Sequence, residues 1–204
     1  AWTSQALMVA DKDDAVVPFS QQAQTIQSLL PPSISVTDVF ASSMTASAAQ
    51  QAVLDGINNG QLLVNYDGHG SVEVWSDENL LTSALASSLT NGPRLPVFVI
   101  MNCLNGYFQD VYTVSMAESL LLANNGGAVA VWASSSLTSP GPQFQMDQAF
   151  TSAVFTPGET IGDAIQTAKK TISDSDVRRT FILFGDPSQR MQIPRTAPTS
   201  SSSR

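Results

Sequence analysis

Two short apolar runs constrain this chain more than any other feature, because each ends in a cluster of turn residues carrying one reactive side chain. Leu62-Leu63-Val64 runs into Asn65-Tyr66-Asp67-Gly68-His69-Gly70, and Val97-Phe98-Val99-Ile100-Met101 runs into Asn102-Cys103-Leu104-Asn105-Gly106. Short apolar runs bounded by turn residues read as buried strands. The segment between them, Ser76 to Leu89, has helical spacing, so the unit is expected to be a parallel strand–helix–strand crossover. Both strands of such a unit finish at one edge of the sheet. The only histidine and the only cysteine of the chain therefore meet there, at the edge where open α/β sheets carry their sites.

The rest of the chain repeats the alternation. Further strands are expected at Gln5–Ala10, Ser33–Phe40, Ala128–Ala133 and Thr180–Phe184. Helices are expected at Ser20–Leu30, Thr45–Ile57, from the capping-box pattern Ser115-Met116-Ala117-Glu118 to about Ala123, and over Gln143–Phe155 and Thr160–Ile172. Six strands interleaved with helices predict an α/β fold: a three-layer sandwich with a six-stranded, mostly parallel sheet and helices on both faces. Residues 1–194 are expected to form that domain. Residues 195–204, with Pro198 and the Ser200–Ser203 run, have the composition of a linker or tail.

Charge narrows the function. Seventeen acidic against nine basic residues give a net charge of −8, which argues against nucleic acid as a partner, since phosphate binding wants a basic patch. No apolar run approaches the roughly 20 residues of a membrane-spanning helix. A single cysteine cannot form an internal disulfide. The first residues lack the charged and apolar regions of a signal peptide, so the chain reads as a piece of a longer protein.

A thiol beside an imidazole can work as a nucleophile with an acid/base partner, since the thiolate is the attacking species and the imidazole helps to form it. The N–H groups of Gly70 and Cys103, at neighbouring strand ends, are the candidates for an oxyanion hole. The bland alternative is a small core cysteine and a polar surface histidine. The loop Ser134–Pro142, including Ser135, is expected to form one wall of a substrate pocket, with Trp132 beneath it either as a core residue, the favoured reading, or as a substrate contact. Asp67, Glu73 and Asp77, close to His69 in sequence, either tune the imidazole, attract a basic substrate side chain or sit at a helix N-terminus, where carboxylates are favoured.

Four blocks carry a resemblance: Tyr66-Asp67-Gly68-His69-Gly70-Ser71, Cys103-Leu104-Asn105-Gly106-Tyr107-Phe108, Met116-Ala117-Glu118-Ser119-Leu120 and Gly185-Asp186-Pro187-Ser188. In this order, they resemble the gingipain-type cysteine peptidases, caspase-like enzymes of the clan that includes legumain and separase. The resemblance spans Trp2 to Ile193. It implies an endopeptidase with Cys103 as nucleophile and His69 as general acid/base, passing through a thioester, with thiol and imidazole on either side of the scissile bond. It implies an acidic residue orienting His69 near the end of the first strand, with Asp11 and Asp13 both candidates, and a last strand that is antiparallel. It further implies protein or peptide substrates, no cofactor for the chemistry, structural calcium in some relatives, neighbouring domains, and an extracellular or cell-surface setting. The rival expectation is a catalytically silent domain of the same fold, acting as a binding or secretion-associated module in a larger surface protein.

Overall fold

The computed structural model describes residues 1–193; the segment 195–204, expected to be a linker or tail, lies outside them. A six-stranded sheet forms the middle layer. Its strands are β1 (Gln5–Ala10), β2 (Ser35–Phe40), β3 (Leu63–Asp67), β7 (Val97–Met101), β8 (Ala130–Ser134) and β9 (Phe181–Phe184), in the order β2-β1-β3-β7-β8-β9. All neighbours are parallel except β8 and β9, which run antiparallel. The chain reaches β9 through a short helix, α7 (Ser175–Thr180), whose end passes straight into the strand. Asp174 starts that helix by accepting from the N–H groups of Asp176 and Val177, both at 3.0 Å. Sequence periodicity missed it because six residues carry too little pattern.

The helices divide between the two faces as the period-2 alternation of the strands dictates. Met8, Leu63, Val99, Met101 and Trp132 face α1 (Phe19–Gln27), α5 (Pro140–Val154) and α6 (Ile161–Lys170) in one core. Val9, Val64, Tyr66, Phe98, Ile100 and Val131 face α2 (Ala46–Asn58), α3 (Ser83–Ser87) and α4 (Met116–Leu121) in the other. The fold is the expected three-layer α/β sandwich. The capping box that opens α4 is present in full, with Ser115 and Glu118 each accepting from the other's backbone.

One expectation fails at the centre of the chain. Ser76 to Leu89 is not a helix; α3 covers only Ser83–Ser87. Ahead of it, β4 (Gly70–Ser71), β5 (Val74–Trp75) and β6 (Leu81–Thr82) make a small antiparallel sheet of their own. Ser76 and Asn79 adopt left-handed φ of 64° and 56°, a conformation that ends a right-handed helix. Trp75, Leu80 and Leu81 are buried all the same, so their spacing mimics a helical face. The crossover from β3 to β7 is still parallel, and both strands still end at one edge.

Candidate active site

His69 occupies the turn between β3 and β4, and Cys103 the turn after β7, on adjacent parallel strands. The His69 ring is 60% exposed and meets Asp14, Nε2 to Oδ2 at 3.2 Å. The ring edge packs against Phe19 with centroids 5.2 Å apart. Asp14 is itself steadied by the N–H groups of Val16 and Val17, at 2.6 and 2.7 Å. Those two bonds, and then the imidazole, hold its carboxyl below the usual range.

The two acids expected to orient the ring line the cleft on which it opens but bond other groups. Asp11 is buried, and its Oδ2 accepts the His69 backbone N–H at 3.0 Å. Asp13 accepts the Ser20 N–H at 2.7 Å, at the head of α1. Three acids in one turn point three ways, and the sequence offered no signal to choose Asp14 among them.

The thiol of Cys103 is half-buried. Its Sγ lies 3.4 Å from the Thr138 N–H and 3.5 Å from the Thr138 carbonyl. Among the described residues these are its only hydrogen-bond partners, so thiol and imidazole are not bonded to each other. The Cys103 N–H likewise makes no hydrogen bond among the described residues. Leu104, at φ 64°, turns the chain sharply after the cysteine, and the loop is pinned by Leu104 N–H to Ser136 and Gly106 N–H to Ser134.

Asn102 and Asn105 latch this loop to the histidine hairpin. Asn102 Nδ2 donates to Asn105 Oδ1 at 2.6 Å, and Asn105 Nδ2 donates across to the carbonyls of Ser71 and Val74. The backbone carbonyl of Asn105 also takes the Ala117 N–H at the head of α4. The latch requires a glycine at 70. A Cβ there would lie 2.0 Å from Asn102 Nδ2, and Asn102 is buried and already bonded. Gly70→Ala is expected to cost about 1–3 kcal/mol, the usual price of overpacking, read as a fall of several degrees in Tm; an unchanged Tm would mean that the latch yields freely.

The residues expected to touch substrate are otherwise engaged. Asp67 is 3% exposed. Burial first, then the neighbouring Asp147 and Asp11, push its carboxyl well above the usual range. Trp132 is fully buried between Phe150 and Phe181, a core residue rather than a pocket floor. Its β8 position points it at α5, away from the solvent side of the loop. Ser135 spends both its N–H and its hydroxyl on the Thr180 carbonyl, at 2.8 and 3.0 Å. The imidazole opens instead on a cleft of about 310 Å³ walled by Asp13, Asp14, Asp77, Glu78 and Lys12. A larger hollow, about 490 Å³, lies by Trp2, Leu62 and Met191 at the opposite edge of the sheet. Neither the thiol nor the imidazole lines it, so chemistry rather than size selects the site. Among the described residues no group of three or more His, Cys, Asp or Glu side chains is placed to hold a metal ion. No helix among them is long and apolar enough to cross a membrane.

The model of peptidase family C25 matches residues 1–192. Gingipain R2 of Porphyromonas gingivalis is 37% identical over 76 residues, which is 37% of this chain and 10% of that protein. Gingipain R1 of the same organism is 36% identical over 76 residues, covering 7% of its length. The chain thus spans a small part of these relatives. Among solved structures, that of the Arg-specific cysteine proteinase gingipain R superposes with a TM-score of 0.80 at 24% identity, covering 93% of this chain and 48% of that one. A second structure, described only as a protease, gives 0.74 at 16% identity over the same 93%. At these identities the structural likeness speaks for the fold.

Proposed function

The chain belongs to peptidase family C25, the gingipain-type cysteine peptidases, and from that premise we propose that it is an endopeptidase working through Cys103 and His69. The observation that carries this reading is the latched edge: an exposed imidazole and a thiol on adjacent strand ends, joined by Asn105. His69 takes the thiol proton, and the thiolate attacks the scissile carbonyl carbon. The N–H groups of Cys103 and Gly70 receive the oxyanion. As the tetrahedral adduct collapses, His69 hands the proton to the departing amine and a thioester remains on Cys103. His69 then draws a proton from water, which attacks the thioester, and the acid product leaves with the thiol restored. No cofactor enters these steps. The substrates are proteins or peptides, and the setting is extracellular or at the cell surface, beside further domains of a longer chain.

Asp14 serves in this reading as the acidic residue that orients the ring. Because its bond to Nε2 is solvated, Asp14→Asn is expected to lower kcat only about ten- to a hundredfold, below the loss seen for buried triad acids, with Tm unchanged. Undiminished turnover would remove Asp14 from the site.

One observation favours the silent-module alternative: the thiol rests against both backbone groups of Thr138. Covalent labelling separates the two. Peptidyl acyloxymethyl ketones differing at P1 should alkylate Cys103 selectively, and only while His69 is present, as read by mass spectrometry on the protein and its His69→Ala variant. Failure to label, with Cys103 still open to a small alkylating agent, would leave the silent module.

A further inference from the structure

On the peptidase reading above, we propose that Tyr66 and Asp11 are positioning residues that fix His69 through its peptide groups rather than its ring. Tyr66 is fully buried, stacked on Trp75 with centroids 4.3 Å apart and planes 5° from parallel. Its phenol donates to the His69 carbonyl at 2.6 Å. The same carbonyl takes the Ser76 N–H at 3.0 Å. On the other side of the residue, the His69 N–H donates to Asp11 Oδ2. The remaining oxygen of Asp11 accepts the Ser76 hydroxyl at 2.6 Å and the Lys12 N–H at 2.7 Å. Both polar backbone groups of His69 are therefore gripped, from the end of β1, from β3 and from the end of β5.

The grip is close. A Cβ on Gly68 would lie 2.5 Å from Asp11 Cβ and 2.5 Å from the Tyr66 phenol oxygen, so the chain threads between the two side chains with room for no substituent. Burial above all, and then the charges of Asp11, Asp67 and Glu78, keep the phenol protonated and hence a donor. With the peptide held on both sides, only the side-chain torsions of His69 remain to place its ring, and these are limited by Phe19 at its edge and Asp14 at Nε2. A buried tyrosine commonly finds some acceptor. Here the acceptor is the backbone of the one residue whose ring must be aimed, and a second side chain holds that residue's other polar group.

His69 is the only histidine in the chain, so its ring protons give unambiguous NMR signals, and the nuclear Overhauser contact between the His69 and Phe19 rings reports ring placement without any turnover. Tyr66→Phe, which removes one oxygen, is expected to weaken that contact and to lower kcat about tenfold at unchanged KM, on the scale that a misplaced catalytic group costs, with Tm within a few degrees of the parent. Asp11→Asn is expected to act in the same sense. The double variant should be little worse than the poorer single one, since both grip one residue. An unchanged ring contact in Tyr66→Phe, or an unchanged kcat, would overturn the inference, as would losses that simply multiply. Should Asp11→Asn fail to fold, Tyr66→Phe decides alone. Should the parent protein not hydrolyse peptides at all, the peptidase reading falls, and the ring contact still decides whether the grip places His69.

Discussion

Cys103→Ala should give a folded protein whose peptide hydrolysis has dropped by on the order of 10⁴-fold or more, as when a nucleophile is removed from a concerted site. The sulfur is the atom that forms the bond, and no other thiol exists in the chain to take its place. The structural loss is small by comparison. Sγ is half-buried and, among the described residues, touches only the backbone of Thr138 by hydrogen bonds, contacts to sulfur that are individually weak. The turn after it depends on Leu104, Gly106 and Asn105 and not on the thiol. Turnover of a peptide substrate and a melting curve, measured on one preparation, read both halves of the expectation. Activity that survives alanine would place the nucleophile elsewhere.

Asp147→Asn should flatten the dependence of stability on pH. Asp147 lies on α5, 1% exposed, with both oxygens taking the Asn65 amide at 2.9 and 2.8 Å and one also taking the Thr151 hydroxyl. Burial pushes its carboxyl from 3.8 up to about 7, against the opposite pull of those hydrogen bonds. Between these two values the unfolded chain has released the proton and the folded chain still holds it, so unfolding is progressively favoured as pH rises. Stability is fully present below about pH 4 and falls until about pH 7, by about 4 kcal/mol at about 1.4 kcal/mol per pH unit. Exposed carboxylates with lowered values, such as Asp14 and Asp186, lean the other way, which is why the comparison must be variant against parent. Asparagine carries no proton to lose, so the variant should gain on the parent as pH climbs from 4 to 7. Some slope should remain, because the buried Asp67 carboxyl is also pushed up. Parallel curves of denaturant midpoint against pH would show that Asp147 ionises as freely in the folded chain as in the unfolded one.

What the sequence revealed follows from how many faces a segment buries. Val97–Met101 and Ala130–Ser134 are covered on both sides, so they read as unbroken apolar runs. The meeting of His69 and Cys103 at one edge then follows from chain topology alone. Segments whose conformation is decided by tertiary partners were not legible. Trp75, Leu80 and Leu81 are spaced as a helix would space them, yet left-handed turns at Ser76 and Asn79 fold them into a small sheet. Ser76 is held in its turn by Asp11, 65 residues earlier, a contact that no local pattern announces. The same holds for Asp11, Asp13 and Asp14. Their directions are fixed by His69, by Ser20 and by Val16 with Val17 respectively, and only the folded chain can tell them apart. Trp132, favoured as core from its place in an apolar run, is core, and strand phase decides which one: one residue earlier or later along β8 faces the other.

The Asn105 latch ties the cysteine loop to a small sheet that the large one holds by other bonds. Each two-residue strand of the small sheet is too short to hold itself, and the amide of Asn105 supplies bonds from outside it. An opening that breaks those bonds frees the small sheet from the cysteine loop, while His69 stays tied by its backbone to Tyr66 and Asp11 and the loop stays pinned at Leu104 and Gly106. Proteins open in such cooperative parcels, well below the cost of global unfolding. The large sheet then remains an intact template on which the small sheet re-forms, and the amide between hairpin and loop sets the separation of the two reactive groups rather than the survival of either.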